Sequence, residues 1–161
     1  MVWIWKYASA MKNTCLIIIL LMFLPAVMSA QTPVEEVIVK YSDVKGARNF
    51  IAKGGRMALA RSILDRTPVA PVSDDVEELA VLKMMNVSQE SKESFLNDLT
   101  DALKSYDYYG RQETKNGTVD IYVLKKTEDT VEELVIYNAG IYSLNSLYGN
   151  FTAESLLKLR K

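Results

Sequence analysis

Few residue types in this chain can do chemistry at neutral pH, and their spacing brings none of them together. The 161 residues include no histidine, and the one cysteine is Cys15. The usual general base is therefore missing, zinc sites built from cysteine and histidine cannot form, and no intrachain disulfide is available. Carboxylates, lysines and serines remain. Ser42-Asp-Val-Lys45 and Ser155-Leu-Leu-Lys158 fit the S-x-x-K spacing of a serine nucleophile served by a lysine, but the S-D-N and K-T-G companions of that chemistry are absent. Two matches in so short a chain mark the spacing as commonplace. The acidic doublets Glu35/Glu36, Asp74/Asp75, Glu77/Glu78 and Glu132/Glu133 send neighbouring side chains to different faces, so none is a paired acid and base. The run from Asp74 to Glu78 lacks EF-hand spacing for calcium. Gly54-Gly55-Arg56 belongs to no dinucleotide fingerprint or P-loop and reads as a tight strand-to-helix turn. No catalytic, cofactor-binding or metal-binding residue is expected, and the chain does not read as an enzyme.

The tyrosines are more suggestive. The chain has nine, and eight follow residue 30: Tyr41, Tyr106, Tyr108, Tyr109, Tyr122, Tyr137, Tyr142 and Tyr148. Tyr122, Tyr137, Tyr142 and Tyr148 fall on predicted strands. Both alternations of those strands are apolar or aromatic, as with Val119, Ile121 and Val123 against Tyr122 and Leu124, or Leu134 and Ile136 against Val135 and Tyr137. One face must pack on helices, and the other is expected to present tyrosines outward. Tyrosine is enriched at binding surfaces, so these four form the candidate binding surface. An alternative is a pocket between helices and sheet lined by Tyr and Met side chains, including Met57, Met84 and Met85; the plainer role of those methionines is core filling.

The elements that would position these residues are legible from periodicity. Thr32-Pro33-Val34-Glu35 is a capping box with proline at the first helical position. Val34, Val37, Ile38 and Tyr41 then mark one face of a helix over about 33–42. A strand over Val44 to Lys53 is expected, with Phe50 and Ile51 as its apolar part. A helix follows over about 56–65, then a loop between Pro68 and Pro71 that ends near Asp75, and a buried strand from Leu79 towards Met85. Ser88 caps the clearest helix, about 89–106, with Phe95, Leu99, Ala102, Leu103 and Tyr106 aligned. The period then changes to two: strands over 108–113 and 118–125 flank the Asn116-Gly117 hairpin signal, and two more run over 131–139 and 141–148. Thr152 caps a last short helix. This order predicts an α+β fold: a mostly antiparallel sheet of about five to six strands, two main helices packed on one face, and short helices at the N- and C-termini.

The N-terminal segment reads as an address. Lys12 precedes an apolar run from Cys15 to Leu24, Pro25 breaks it, and Ser29 and Ala30 follow. This is the order of a secretory signal peptide, and the run is shorter than the roughly 20 residues a membrane-spanning helix needs. Residues 1–30 are assigned as signal peptide, with Met11 as the expected start and cleavage between Ala30 and Gln31; residues 31–161 form one domain with no permanent membrane anchor. Cys15 precedes the run, with Lys12 where a lipoprotein has leucine, so lipid anchoring is not expected. Loss of Lys6 and Lys12 leaves 17 of 19 basic residues against 20 acidic ones, net −3. That balance, without a basic cluster, argues against nucleic acid as a partner. Asn86, Asn116 and Asn150 head N-x-S/T sequons, which matter only in a eukaryotic secretory host.

Lys40-Tyr41 near the mature start, the Glu133-Leu134-Val135 strand, the ending Leu147-Tyr148-Gly149-Asn150-Phe151-Thr152 and a signal closing on Ser-Ala-Gln resemble the DUF4252 family of small exported proteins from Bacteroidetes. The resemblance covers the whole mature chain but rests on diffuse motifs. It implies a periplasmic or secreted protein without an established activity, linked by gene neighbourhood to extracytoplasmic sigma factors. It also implies an O-glycosylation acceptor at Asp129-Thr130-Val131, with Thr130 modified. The function expected is a non-enzymatic envelope module that binds an unknown envelope protein or a second copy of itself; the alternative is a small-ligand-binding periplasmic protein. No cofactor is expected.

Overall fold

The structure is a computed structural model that describes residues 31–160, apart from Pro68 and Asn116. The segment up to Ala30, expected to be a signal peptide, and the asparagine of the hairpin signal lie outside the described residues.

Each helix start is written in local chemistry. Helix α1, Pro33–Ser42, is capped by Thr32, whose Oγ1 accepts the Glu35 N–H at 3.2 Å, and its apolar face of Val34, Val37, Ile38 and Tyr41 is buried. Glu35 does not complete the box; its carboxylate lies 3.6 Å from Lys53 instead. Strand β1, Arg48–Lys53, leads through a short 3-10 turn into α2, Met57–Leu64, which buries Met57, Ala60 and Leu64. After a second 3-10 segment, Ala70–Asp75, come β2, Val76–Lys83, and α3, Gln89–Leu103, capped by Ser88. Strands β3 (Asp107–Thr114), β4 (Gly117–Lys125), β5 (Thr130–Asn138) and β6 (Ser143–Thr152) then form a meander. Helix α4, Ala153–Leu157, starts at a capping box between Thr152 and Ser155.

The six strands make one antiparallel sheet in the order β1-β2-β6-β5-β4-β3. The antiparallel β1–β2 pair, joined through α2, adds to β6, the last strand of the meander, and the connection through α3 carries the chain from β2 to β3 at the opposite edge. Where β2 bulges between Val76 and Glu78, Val76 pairs with Gly149. A Cβ on Gly149 would stand 2.0 Å from the backbone oxygen of Asp75, so the close approach of these segments requires glycine.

The α+β class and the six-stranded antiparallel sheet match the sequence expectation. The placement of the two main helices on one face is corrected: α3 shares one face with α1, and α2 lies on the other with α4. On the α1/α3 face, Phe95 and Leu99 pack with Ala80, Leu82, Val135, Tyr137 and Leu144. On the α2/α4 face, Met57, Ala60 and Leu156 pack with Leu79, Ile121, Leu134, Leu147 and Phe151. Strands that are apolar on both alternations need cover on both sides, since leaving a core-sized apolar face in water forfeits about 25 cal/mol per Å². The structure also shows how β1 is set at the edge and corrects the end of the long helix. Phe50 and Ile51 are 39% and 37% exposed on the edge strand β1, where Ala52 is the buried residue. The long helix stops at Leu103, and Tyr106 enters the core from the turn that follows.

Candidate binding site

The four candidate tyrosines do not stand out on an uncovered face, and Tyr142, expected on a strand, sits in the turn before β6. Tyr122, Tyr137 and Tyr142 all belong to the face covered by α1 and α3. Tyr137 is buried, its ring tilted against Phe95 at 6.3 Å between centroids. Its hydroxyl is buried without a hydrogen-bond partner among the described residues, and burial pushes it up to about 12. Tyr122 is half-buried at the edge of the α1/α3 core and meets Tyr108 edge-on at 5.4 Å. Tyr108, which sequence reasoning left aside, is 56% exposed and donates to Asp120 at 3.2 Å. Arg111 clamps the same carboxylate through Nε at 2.7 Å and a second nitrogen at 3.1 Å, which holds Asp120 below the usual carboxylate range. Tyr142 is half-buried, adopts a left-handed backbone with φ +47°, and carries Lys92 Nζ 4.9 Å from its ring centroid. Tyr148 is half-buried opposite Glu133 and Glu78.

The other predicted residues are scattered. Thr130 opens β5, its hydroxyl 2.6 Å from that of Thr127 in an exposed turn. Gln31 is exposed, and Ala30 is outside the described residues. Met57 and Met84 sit in the two opposite cores, while Met85 is 54% exposed. The serines of the S-x-x-K matches are occupied: Ser42 donates to Val39 O at 2.8 Å, and Ser155 serves the α4 cap.

A pocket does exist, but neither tyrosine nor methionine lines it. It is a half-open trough of about 370 Å³ on the α2/α4 face, at the end of the sheet that α2 leaves uncovered. Leu79 and Val81 of β2, Leu147 of β6, Ile136 of β5 and Ile121 of β4 form its floor, and Ile63, Leu64 and Val69 form one wall. Polar groups also line it: Asn145 of β6 in the floor between Val81 and Ile136, Asn138 and Ser143 on β5 and β6, Gln112 and Thr114 on β3, and Lys83 as the one charged lining residue. Gln112 is committed to the Leu159 carbonyl, and Asn138 Oδ1 accepts the N–H groups of Gly140 and Ile141 at 3.0 and 3.3 Å. Sequence reasoning missed the trough because it depends on how far α2 extends across the sheet.

A buried acid was also missed. Glu133 is fully buried. Its carboxylate accepts from the Tyr106 hydroxyl and from Ser146 Oγ at 2.6 Å, and the Tyr106 oxygen accepts the Val34 N–H at 3.4 Å. Burial pushes both Glu133 and Tyr106 up. The cluster ties β5, β6 and the turn after α3 to the start of α1. The available signal was its alternation: Glu133 falls in period-two phase with Val135 and Tyr137, both core residues.

No cluster of three potential metal ligands occurs among the described residues, and no helix among them is long and apolar enough to cross a membrane. Comparison with family models, curated proteins and solved structures gives no match for this chain.

Proposed function

We propose that this is an exported, non-enzymatic binding protein of the cell envelope that takes an apolar ligand in the trough on the α2/α4 face. The observation that carries the proposal is the trough itself: about 370 Å³, lined by aliphatic side chains with hydroxyl and amide groups among them. Ligand sites commonly occupy about 300–1,000 Å³ and combine apolar walls with a few polar groups. Export rests on the Lys12–Gln31 pattern and fits the resemblance to exported Bacteroidetes proteins. The test is titration of the mature chain with N-phenyl-1-naphthylamine, an uncharged probe that fluoresces in apolar surroundings. Saturable binding at one site, lost in Ile63→Asp, supports the proposal. Ile63 is 52% exposed on the wall, so this change leaves the core intact. Binding unaffected by Ile63→Asp, or no binding, contradicts it.

A second reading is a protein-binding surface at Tyr108, Tyr122 and Tyr142. The exposed Tyr108 ring on Tyr122, rimmed by the Arg111–Asp120 pair, favours it, because interfaces are enriched in tyrosine and arginine. Partner capture from the envelope that is lost in Tyr108→Ala and Tyr122→Ala, with unchanged probe binding, would support this second surface.

A further inference from the structure

The strand register writes a polarity gradient across the trough. Residues directly opposite one another in adjacent antiparallel strands share a face. Arg48 of β1 pairs with Lys83 of β2, Lys83 with Ser143 of β6, and Ser143 with Asn138 of β5, which makes one polar row at the open end of the sheet. The next row on that face runs Phe50, Val81, Asn145 and Ile136. The row after that runs Ala52, Leu79, Leu147 and Leu134, and it is wholly apolar. Over two rows, about 14 Å at strand rise, the surface passes from doubly cationic to hydrocarbon.

Arg48 and Lys83 are like charges placed directly opposite each other, which costs stability. Neither forms an ion pair among the described residues, whereas six other cation–anion contacts do form. No acidic residue lines the trough. Beside Lys83, Ser143 is buried at the rim, and its hydroxyl makes no hydrogen bond among the described residues. An anionic group at this row would meet Lys83 and the Ser143 hydroxyl in the trough lining, with Arg48 in register beside Lys83 on the edge strand beyond that lining, and a chain attached to it would run past Asn145 onto Val81, Ile136 and Leu79.

We propose that the trough takes a single-chain carboxylate amphiphile, its head at Lys83 and Ser143 with Arg48 alongside on the edge strand, and its hydrocarbon tail over the aliphatic floor. This rests on the trough being a ligand site and adds the ligand's class. The trough lies near the lower end of ligand-site volumes, which suits one chain and no wider body. A detached amphiphile is favoured over a lipid in a bilayer because the apolar floor is recessed behind the polar row and the α2 wall.

The test compares ligands that differ only in the head. Dodecanoate, dodecan-1-ol and dodecyltrimethylammonium, each below its micelle-forming concentration, displace the naphthylamine probe from the mature protein and from Arg48→Gln/Lys83→Gln. Both substituted residues are exposed, so the fold should be kept, with thermal melts at or slightly above those of the parent as the opposed charges are removed. Dodecanoate is expected to bind about tenfold tighter than the alcohol, a difference of about 1.4 kcal/mol, and the double substitution should level the two. The cationic analogue should bind most weakly. If probe and alcohol bind but dodecanoate has no advantage, the ligand site stands and the anionic head is refuted. If the advantage survives the double substitution, the head lies elsewhere and the proposal falls. If no amphiphile binds, or the protein binds only vesicles of phosphatidylglycerol, the ligand-site reading fails with it.

Discussion

Removing the Tyr106 hydroxyl should be among the most damaging one-atom changes this fold can suffer. That oxygen serves two buried groups: it donates to the Glu133 carboxylate and accepts the Val34 N–H. Tyr106→Phe leaves a carboxylate short of a donor and an amide without an acceptor, each worth about 1–3 kcal/mol when buried. A loss of roughly 2–4 kcal/mol follows for the pair, or about 10–20 °C in Tm for a domain of this size. Phenylalanine retains the ring, so cavity formation adds little. The loss should also depend on pH. Burial raises the folded Glu133 above its ordinary value of 4.5, so the folded state holds a proton that the unfolded chain releases. Stability contributed by Glu133 is therefore complete below 4.5 and falls as pH rises through the folded value. Glu133→Gln keeps the shape and removes the titration, so the difference between parent and Glu133→Gln melts should change across that window while the variant alone is flatter. Calorimetric melts of the parent, Tyr106→Phe and Glu133→Gln across about pH 4–8 read both effects. Tyr106→Phe melting within about 2 °C of the parent at neutral pH, with parent and Glu133→Gln parallel at every pH, would refute the idea that the buried cluster anchors α1.

Three further outcomes test the packing. Gly149→Ala should destabilise by about 1–3 kcal/mol, the usual range for forced overpacking, because its Cβ would stand 2.0 Å from the Asp75 backbone oxygen; an unchanged denaturant midpoint would contradict the tight β2–β6 approach. Tyr137→Ala should cost about 3–5 kcal/mol, whereas Tyr108→Ala, at 56% exposure, should stay within about 0.5 kcal/mol; chemical denaturation of both separates core tyrosine from surface tyrosine. Asp98 accepts from Lys40 at 2.5 Å and from Tyr41 at 2.6 Å, and Lys40 first, then Tyr41, hold its carboxyl below the ordinary 3.8. Its contribution is present above 3.8 and lost as pH falls through the depressed folded value. Asp98→Asn should therefore cost about 0.2–1 kcal/mol at neutral pH and nothing in strong acid, as read by paired melts.

The elements were legible because their signals are local. Thr32, Ser88 and Thr152 each cap the helix expected of them, and the switch from helical to period-two spacing after Tyr106 locates the meander. Gly117, in the left-handed region at φ +101°, gives the expected turn its glycine. Which face each helix covers was not legible, since strands apolar on both alternations fit a helix on either side. The trough was hidden for the same reason, and Glu133 was weighed only as half of an acidic doublet, although strand alternation puts it in phase with Val135. Methionines separated by the sheet, Met57 on one side and Met84 on the other, could not line one pocket.

The most direct measurement is methyl NMR of the mature protein during addition of dodecanoate. Val81, Ile136 and Leu147 lie on the α2/α4 face, and Val135, one residue from Ile136, and Leu144, three from Leu147, lie on the opposite face. Ligand bound in the trough should shift the first set and Ile63 while leaving Val135 and Leu144 in place. Shifts centred on Val135, Leu144 and Leu124, or no saturable shift at all, would contradict a ligand site on the α2/α4 face.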